Sequence, residues 1–576
     1  MTFALLLLVA CGRGTADAQT RPPATSLGPL ALGGSIGVST EAYSVSGIPA
    51  RRPSNSGAFF GAATAATANV NYGLDFYLST EDDRLRQSLN RFALSAGSAQ
   101  FKATLGDINP TFSRYSLNGA TVRGAYLDYR PERFVVSLLA GRSRRAIDTG
   151  IGAAIRRPAY DRTLFSARVG VGQENRTHLH LISLIARDAP DTGGAGIRAA
   201  PVENVSFTPE FSVYLLERRL AVSGELTASA FSQDTRAART DEGDTPAMLG
   251  FFTPRVGSRF DVASHIETRY THTDFADTSI FDQVTVLASY ERVQPGFVSL
   301  GRPYTRSDQS VVRFQPQARL LDRRVQLALD VTSRRNNLSR TRNATLNRNQ
   351  INLSTQAQVS EALFVNAAYL WMANANNPVF DDPASQFLRQ RLVSQTLLIS
   401  PVLTLPIEQL THRISLTLAV QKLADKTERD PGVDRRAVQF DNVTSTLSHA
   451  VILPSGLSVN SGLSLITSKA PYTDVRALSL NAGVNAGLMK GKLNAGVNAS
   501  VSSTSLTFNQ PFDVETAENT LANRETSRQY ALTLTGTYRV TGRDVLRLNV
   551  RGFATSQPLR GNFQEIQSTL RFEHKF

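Results

Sequence analysis

Two histidines separated by one residue, His178-Leu179-His180, are the first candidates for chemistry, because positions i and i+2 of a strand face the same side. Two imidazoles could begin a metal site, but metals normally take three or four ligands and no third is identifiable in the sequence. At a strand's start such residues read more readily as part of an interfacial belt. Asp241-Glu242-Gly243-Asp244 and Asp381-Asp382 are acidic, yet they lack the ligand spacing of a calcium loop and read as solvated loops. No P-loop, H-E-x-x-H pair or G-x-G-x-x-G fingerprint occurs. A serine–histidine arrangement is set by geometry rather than sequence order. The expectation is no enzyme, no cofactor and no metal.

Arginine supplies the other candidate constellation. The chain of 576 residues carries 62 Lys and Arg against 48 Asp and Glu, a formal charge of +14. Lysine stands only at 102, 422, 426, 469, 490, 492 and 575, so the excess is almost all arginine. Such a balance suits nucleic acid, anionic lipid headgroups or an anion-attracting pore. Spread along the chain and mixed with acids, these arginines lack the clustered basic face of a nucleic-acid binder, and no nucleic-acid partner is expected. Clusters at Arg142, Arg144 and Arg145 and at Arg334, Arg335, Arg340 and Arg342 fall near loops. Pairing with lumenal acids such as Asp330 competes with a positive constriction as their explanation.

The elements that must position these side chains alternate with period 2. Val325, Leu327, Leu329 and Val331 point one way; Gln326, Ala328, Asp330 and Thr332 point the other. Ile414, Leu416, Leu418 and Val420 likewise oppose Arg413, Ser415 and Thr417. Leu532, Leu534 and Tyr538 oppose Thr533, Thr535 and Arg539, and Leu546, Leu548 and Val550 oppose Arg547, Asn549 and Arg551. Arg413, Arg539, Arg547 and Arg551 thus sit on the polar phase and are expected to face a lumen, since arginine in hydrocarbon is costly. Short turns, among them Pro131-Glu132, Lys490-Gly491 and Thr541-Gly542-Arg543, alternate with long loops such as 188–202, 233–256 and 295–308.

Mean hydropathy is −0.17. Beyond the N-terminus no apolar run approaches the roughly 20 residues of a membrane-spanning helix. Alternating strands look only half hydrophobic, so this does not argue against a membrane. The fold class expected is all-β: a single closed antiparallel transmembrane β-barrel of roughly 24–26 strands over residues 28–576. The stretch Ala58 to Thr80 reads as one tall strand or two short ones.

Residues Phe3 to Ala10 form a short apolar run of signal-peptide type. Cleavage at the A-x-A site Ala16-Asp17-Ala18 removes residues 1–18, and 19–27 form a short linker. Alternatively Leu8-Val9-Ala10-Cys11-Gly12 is a lipobox that makes Cys11 a lipidated first residue. Cys11 is the only cysteine, which excludes a disulfide framework.

The chain ends Leu570-Arg571-Phe572-Glu573-His574-Lys575-Phe576. Leu570, Phe572, His574 and Phe576 alternate toward a terminal aromatic, which resembles the C-terminal signature of bacterial outer-membrane β-barrels. His574 stands where that class more often has tyrosine. Gly106-Asp107-Ile108-Asn109-Pro110, Arg123-Gly124-Ala125 and Gly141-Arg142-Ser143 resemble segments of large uncharacterised barrels. The resemblance implies a Gram-negative outer-membrane protein whose last strand is read by the barrel-assembly machinery and closes against the first. Its expected partners are outer-membrane lipids, lipopolysaccharide, that machinery and small solutes. The function expected is a porin-like channel for passive diffusion of small hydrophilic solutes with mild anion bias. A structural, secretion or assembly barrel working with periplasmic or extracellular partners is the alternative. An energy-coupled receptor would need a globular plug ahead of the barrel, and alternation starts too early for one.

Overall fold

The computed structural model describes residues 25–27, 30–82, 87–147, 159–192, 199–240, 246, 248–276, 279–380, 385, 387–428, 439–471, 473–508, 524–557 and 561–576. Cys11, Ala16 and Ala18 lie outside these, as do the acidic stretches 241–244 and 381–382.

Strand β1 (Thr25–Leu27) pairs only with the start of β2 (Leu30–Ser46). Short strands follow: β3 (Asn55–Ala66), β4 (Asn71–Ser79), β5 (Arg91–Gly97), β6 (Phe101–Ile108) and β7 (Val122–Tyr129). Next come β8 (Phe134–Arg144), β9 (Arg162–Val171), β10 (His178–Asp188), β11 (Glu203–Leu215) and β12 (Leu220–Ser232). The middle of the sheet is β13 (Arg259–His272), β14 (Phe281–Val293), β15 (Gln309–Leu320), β16 (Val325–Asn336) and β17 (Ala344–Gln358). Taller strands continue as β18 (Leu363–Pro378), β19 (Gln390–Ile407), β20 (Leu410–Asp425), β21 (Phe440–Ile452) and β22 (Ser458–Ala470). The last five are β23 (Thr473–Leu488), β24 (Leu493–Phe508), β25 (Arg524–Arg539), β26 (Asp544–Ser556) and β27 (Phe563–Lys575).

From β2 onward each strand pairs antiparallel with its successor, and β27 returns to β2, so 26 strands close one barrel. The stretch Ala58 to Thr80 is two strands, β3 and β4, split at 67–70. One end of the barrel carries tight turns such as 130–133, 321–324 and 489–492; the other carries the long connections 109–121, 233–258 and 294–308. That rhythm breaks once, because β22 ends at Ala470 and β23 starts at Thr473 on the long-loop end. No helix among the described residues is long and apolar enough to cross a membrane.

Alternation divides the sheet into two faces. Leu327, Leu416, Leu418, Leu463, Leu480, Leu532, Leu534, Leu548 and Leu570 are all exposed on the outer phase. A closed barrel satisfies every strand's backbone within the sheet, so such a belt can meet hydrocarbon without unpaired amides. The duplicated NAGVNA segments form the β23–β24 hairpin, where Asn498 lies opposite Gly483 and Asn485 opposite Gly496. A Cβ on Gly483 would stand 2.0 Å from the Asn498 Oδ1, so the repeat interleaves asparagine over glycine.

Closure of β27 on β2 is locked from inside. Glu573 is fully buried and bonded by Arg547, with Arg571 Nη2 3.6 Å away. Arg571 stacks over the Phe60 ring, 4.1 Å from its centroid. Phe60 lies opposite Gly37, where a Cβ would stand 2.4 Å from the ring. On the opposite phase His574 Nδ1 lies 2.6 Å from Asp544 Oδ1, and Phe576 donates its backbone N–H to Gly34 O at 3.3 Å. The residue that departs from the usual tyrosine is thus paired with the first residue of β26.

Replacing Glu573→Ala leaves both arginines without their shared carboxylate. Because each arginine is partly exposed, the cost should fall at or below roughly 3 kcal/mol, the low end for breaking a buried pair. Urea unfolding in lipid vesicles should show a lowered midpoint; an unchanged midpoint contradicts the lock.

Candidate functional site

Among the described residues, the buried apolar side chains in the lumen lie on one side. Connection 109–121 folds inward and buries Phe112, Leu117 and Ala120 against Leu139, Leu164, Ile182 and Leu184 of β8, β9 and β10. Connection 294–308 follows it, packing Phe297 beside Tyr115, Ala263 and Val293. Burying each such large apolar side chain stabilises by about 1.5–3 kcal/mol, which is why these lumenal positions are apolar. Among the described residues beyond Leu320, Val545 is the only buried apolar side chain. Among the described residues, the wall from β18 to β27 has no such apolar cover.

Polar contacts hold the two loops in register. Asn204 of β11 donates to Ser229 Oγ at 2.8 Å and to the carbonyls of Ala230 and Val298, and it accepts from Leu300 N at 3.1 Å. Ser299 Oγ donates to Ser116 O at 2.6 Å, and Asn118 N donates to Gly301 O at 3.0 Å. A Cβ on Gly301 would stand 2.4 Å from Ser116 O, so the loops touch backbone to backbone there. Arg114 N donates to Glu225 Oε2 at 3.0 Å, and the Tyr115 hydroxyl donates to Ser264 O at 3.3 Å. Burial, with the Glu291 charge adding to it, pushes the Tyr115 hydroxyl far above the usual phenol range.

Arginines occupy the polar phase in two different ways. Arg313 holds Asp330 at 2.6 Å, and Arg547 is bound to Glu573. Arg142 and Arg144 pair with Asp161 and Asp188, and Arg145 donates its backbone N–H to Gln87 Oε1 at 3.0 Å. Arg413, Arg539 and Arg551 stand on the phase opposite the exposed belt leucines and have no ion pair among the described residues. Arg334 and Arg348 lie directly across from each other on β16 and β17. With Arg306 and Arg342 they line a cavity of about 340 Å³ beside connection 294–308. Like charges opposed on a sheet are destabilising. Within that cavity Arg342 pairs with buried Asp308 at 3.9 Å, and Arg306, Arg334 and Arg348 have no ion pair among the described residues.

His178 and His180 are not in an interfacial belt. They face the lumen and are buried, whereas the alternating Leu179 and Leu181 are exposed outside. Glu210 lies opposite His180 on β11, and these three are the group of side chains able to hold a metal ion among the described residues. Sequence reading missed Glu210 because only the strand register joins it to the pair. In the adjoining turn, burial raises the Glu174 carboxyl, but the Arg168 and Arg130 cations outweigh it and hold the group below its ordinary value. A hydrolase-like spelling, Gly33-Gly34-Ser35-Ile36-Gly37, lies inside β2. Ser35 and the His574–Asp544 pair are on opposite faces, so they form no catalytic triad.

Asn204→Ala should loosen connection 294–308 from the wall, leaving Leu300 N without its side-chain acceptor and Val298 O with Ser229 Oγ alone, at a cost of about 1–3 kcal/mol. Hydrogen exchange of the Leu300 amide should quicken while β18 to β22 keep their protection. An unchanged Leu300 rate contradicts this tether.

No family model and no curated protein sequence matches the chain. Among solved structures, Pseudomonas aeruginosa OccK1 (OpdK) is 9% identical over 66% of this chain and 94% of its own, with a TM-score of 0.30. The P pilus usher (PapC) translocation pore is 11% identical over 95% and 99%, with a TM-score of 0.31. The ferric citrate transporter FecA in its unliganded form is 8% identical over 94% and 78%, with a TM-score of 0.39. At such values the assignment rests on the chain's own strand pairing, its closure and its apolar belt. The protein is a 26-stranded antiparallel β-barrel of the bacterial outer membrane.

Proposed function

We propose that the barrel is a porin-like channel for passive diffusion of small hydrophilic solutes, with a bias toward anions and no enzymatic activity. The observation that carries the bias is the opposed pair Arg334 and Arg348, sharing one cavity with Arg306 and Arg342. Of these guanidiniums only Arg342 has an ion pair among the described residues, with buried Asp308, and a cluster of one sign in a low-dielectric wall concentrates ions of the other. Arg413, Arg539 and Arg551 extend the positive lining along β20, β25 and β26. A lumen of this strand number is too wide for its own side chains to fill. The inward loops 109–121 and 294–308 narrow it.

Purified, refolded protein in a planar bilayer should give steady single-channel conductance, with a reversal potential of anion-preferring sign under a salt gradient. Arg334→Gln with Arg348→Gln should move that potential toward zero and leave the conductance open. Absence of conductance in protein that shows heat-modifiable migration would overturn the channel reading and favour a plugged conduit working with partners.

A further inference from the structure

We infer that His178, His180 and Glu210 form a binding site for a divalent transition-metal cation of the zinc class on the lumenal wall, at the short-turn end of β10 and β11. Strand geometry brings them together. The histidines are two apart on β10 and share its inner face, and Glu210 is in register with His180. One ligating atom from each residue lies within 4.8 Å of the others. The imidazoles stack with centroids 4.4 Å apart and planes 17° from parallel.

Hydrogen bonding decides which nitrogens are available. His178 Nδ1 lies 2.8 Å from Arg176 O, and His180 Nε2 lies 3.2 Å from Gly172 O. A carbonyl oxygen only accepts, so each of those nitrogens carries the proton and donates, and in the neutral ring the other nitrogen keeps a lone pair. Those other nitrogens, His178 Nε2 and His180 Nδ1, are buried and have no hydrogen-bond partner among the described residues. The two residues are 7% and 1% exposed, so the vacant lone pairs are not simply turned to solvent. Metal-binding histidines are ordinarily oriented in this manner, the distal N–H fixed by a carbonyl and the other nitrogen presented to the ion.

The wall is shaped around these rings. Gly170 of β9 is in register with His180, and a Cβ there would stand 2.5 Å from His180 Cδ2. Charge also suits a cation: Glu225 of β12 lies opposite Glu210, and its Oε1 is a further buried oxygen without a partner among the described residues. The neighbouring Arg168 is bound to Glu174. Calcium and magnesium prefer all-oxygen shells, so two imidazoles and one carboxylate select a borderline ion such as Zn²⁺. Three protein ligands leave a coordination position for water or a passing solute.

The test uses the untagged, folded, full-length barrel, stripped with chelator and titrated with ZnCl₂ by calorimetry, and with Co²⁺ by visible absorption. One Zn²⁺ per chain is expected, with Co²⁺ giving low-symmetry d–d bands. His180→Ala should weaken Zn²⁺ binding by about 100-fold or more, and Glu210→Gln by about 10-fold or more, because outer partners alone are worth 10–100-fold. His412→Ala with His449→Ala, at the other histidine pair, should leave binding unchanged. Heat-modifiable migration certifies that each variant is folded. Lack of stoichiometric binding by the parent protein overturns the site. So does unchanged affinity in folded His180→Ala and Glu210→Gln, or loss of binding in the His412 and His449 variant.

Discussion

Everything in this structure depends on the antiparallel ladder between β2 and β27. Inside hydrocarbon each unpaired backbone N–H or C=O costs several kcal/mol, so a sheet with a free edge cannot stay there. The ladder runs from Ser35 opposite Lys575 to Ser46 opposite Gln564, and it removes the last edge. Beyond the end of β27, β1 folds onto Leu30 to Leu32 and Phe576 bonds Gly34. Glu573, Arg547 and Arg571 are buried or lumenal at this seam, so the charges that fasten the closure never meet lipid. That separation of faces, apolar outside and charged inside, also decides where any chemistry can occur.

Closure fixes a circumference, and 26 strands enclose more space than lining side chains occupy. The protein answers this asymmetrically. On β8 to β10 the lumenal face carries an apolar patch, Leu139, Leu164, Ile182 and Leu184, flanked by buried polar side chains, and connection 109–121 packs on it as in a small globular core. Around β15 to β27 the same phase carries Asn, Gln, Ser, Thr and Arg. The inward loops are thus part of the wall's packing, with Asn204 and Glu225 as their polar anchors. The arginine cavity beside connection 294–308 lies where this packing meets β16 and β17.

The sequence revealed the barrel well because period-2 alternation is a local property. Leu327 and Leu418 outside, and Asp330 inside, follow from neighbour spacing alone. Strand number was legible only within two, since residues 58–80 carry no strong turn signal, and the tight connection after Ala470 breaks the loop rhythm. The inward loops were not legible: Phe112, Tyr115 and Phe297 look like loop residues until the wall they cover is known. Glu210 was hidden for the same reason. It shares no local pattern with His178 and His180, and only the β10–β11 register places it across from them. His574 looked like a weakened class signal, whereas it makes a specific pair with Asp544.

The most direct test of the account is a cysteine pair across the closing seam, in a chain whose only cysteine has been replaced by Cys11→Ser. Thr40 and Leu570 are opposed in the β2–β27 register, at the roughly 4.5–5.5 Å Cα spacing of an antiparallel pair, which a disulfide can span. Thr40→Cys with Leu570→Cys should yield, on mild oxidation of the folded protein, a circularised chain whose altered migration reverts under reductant. The slipped pair, Thr40→Cys with Phe572→Cys, should yield little. Failure of the first pair in folded protein, or efficient bridging of the second, would contradict closure of β27 on β2 in this register.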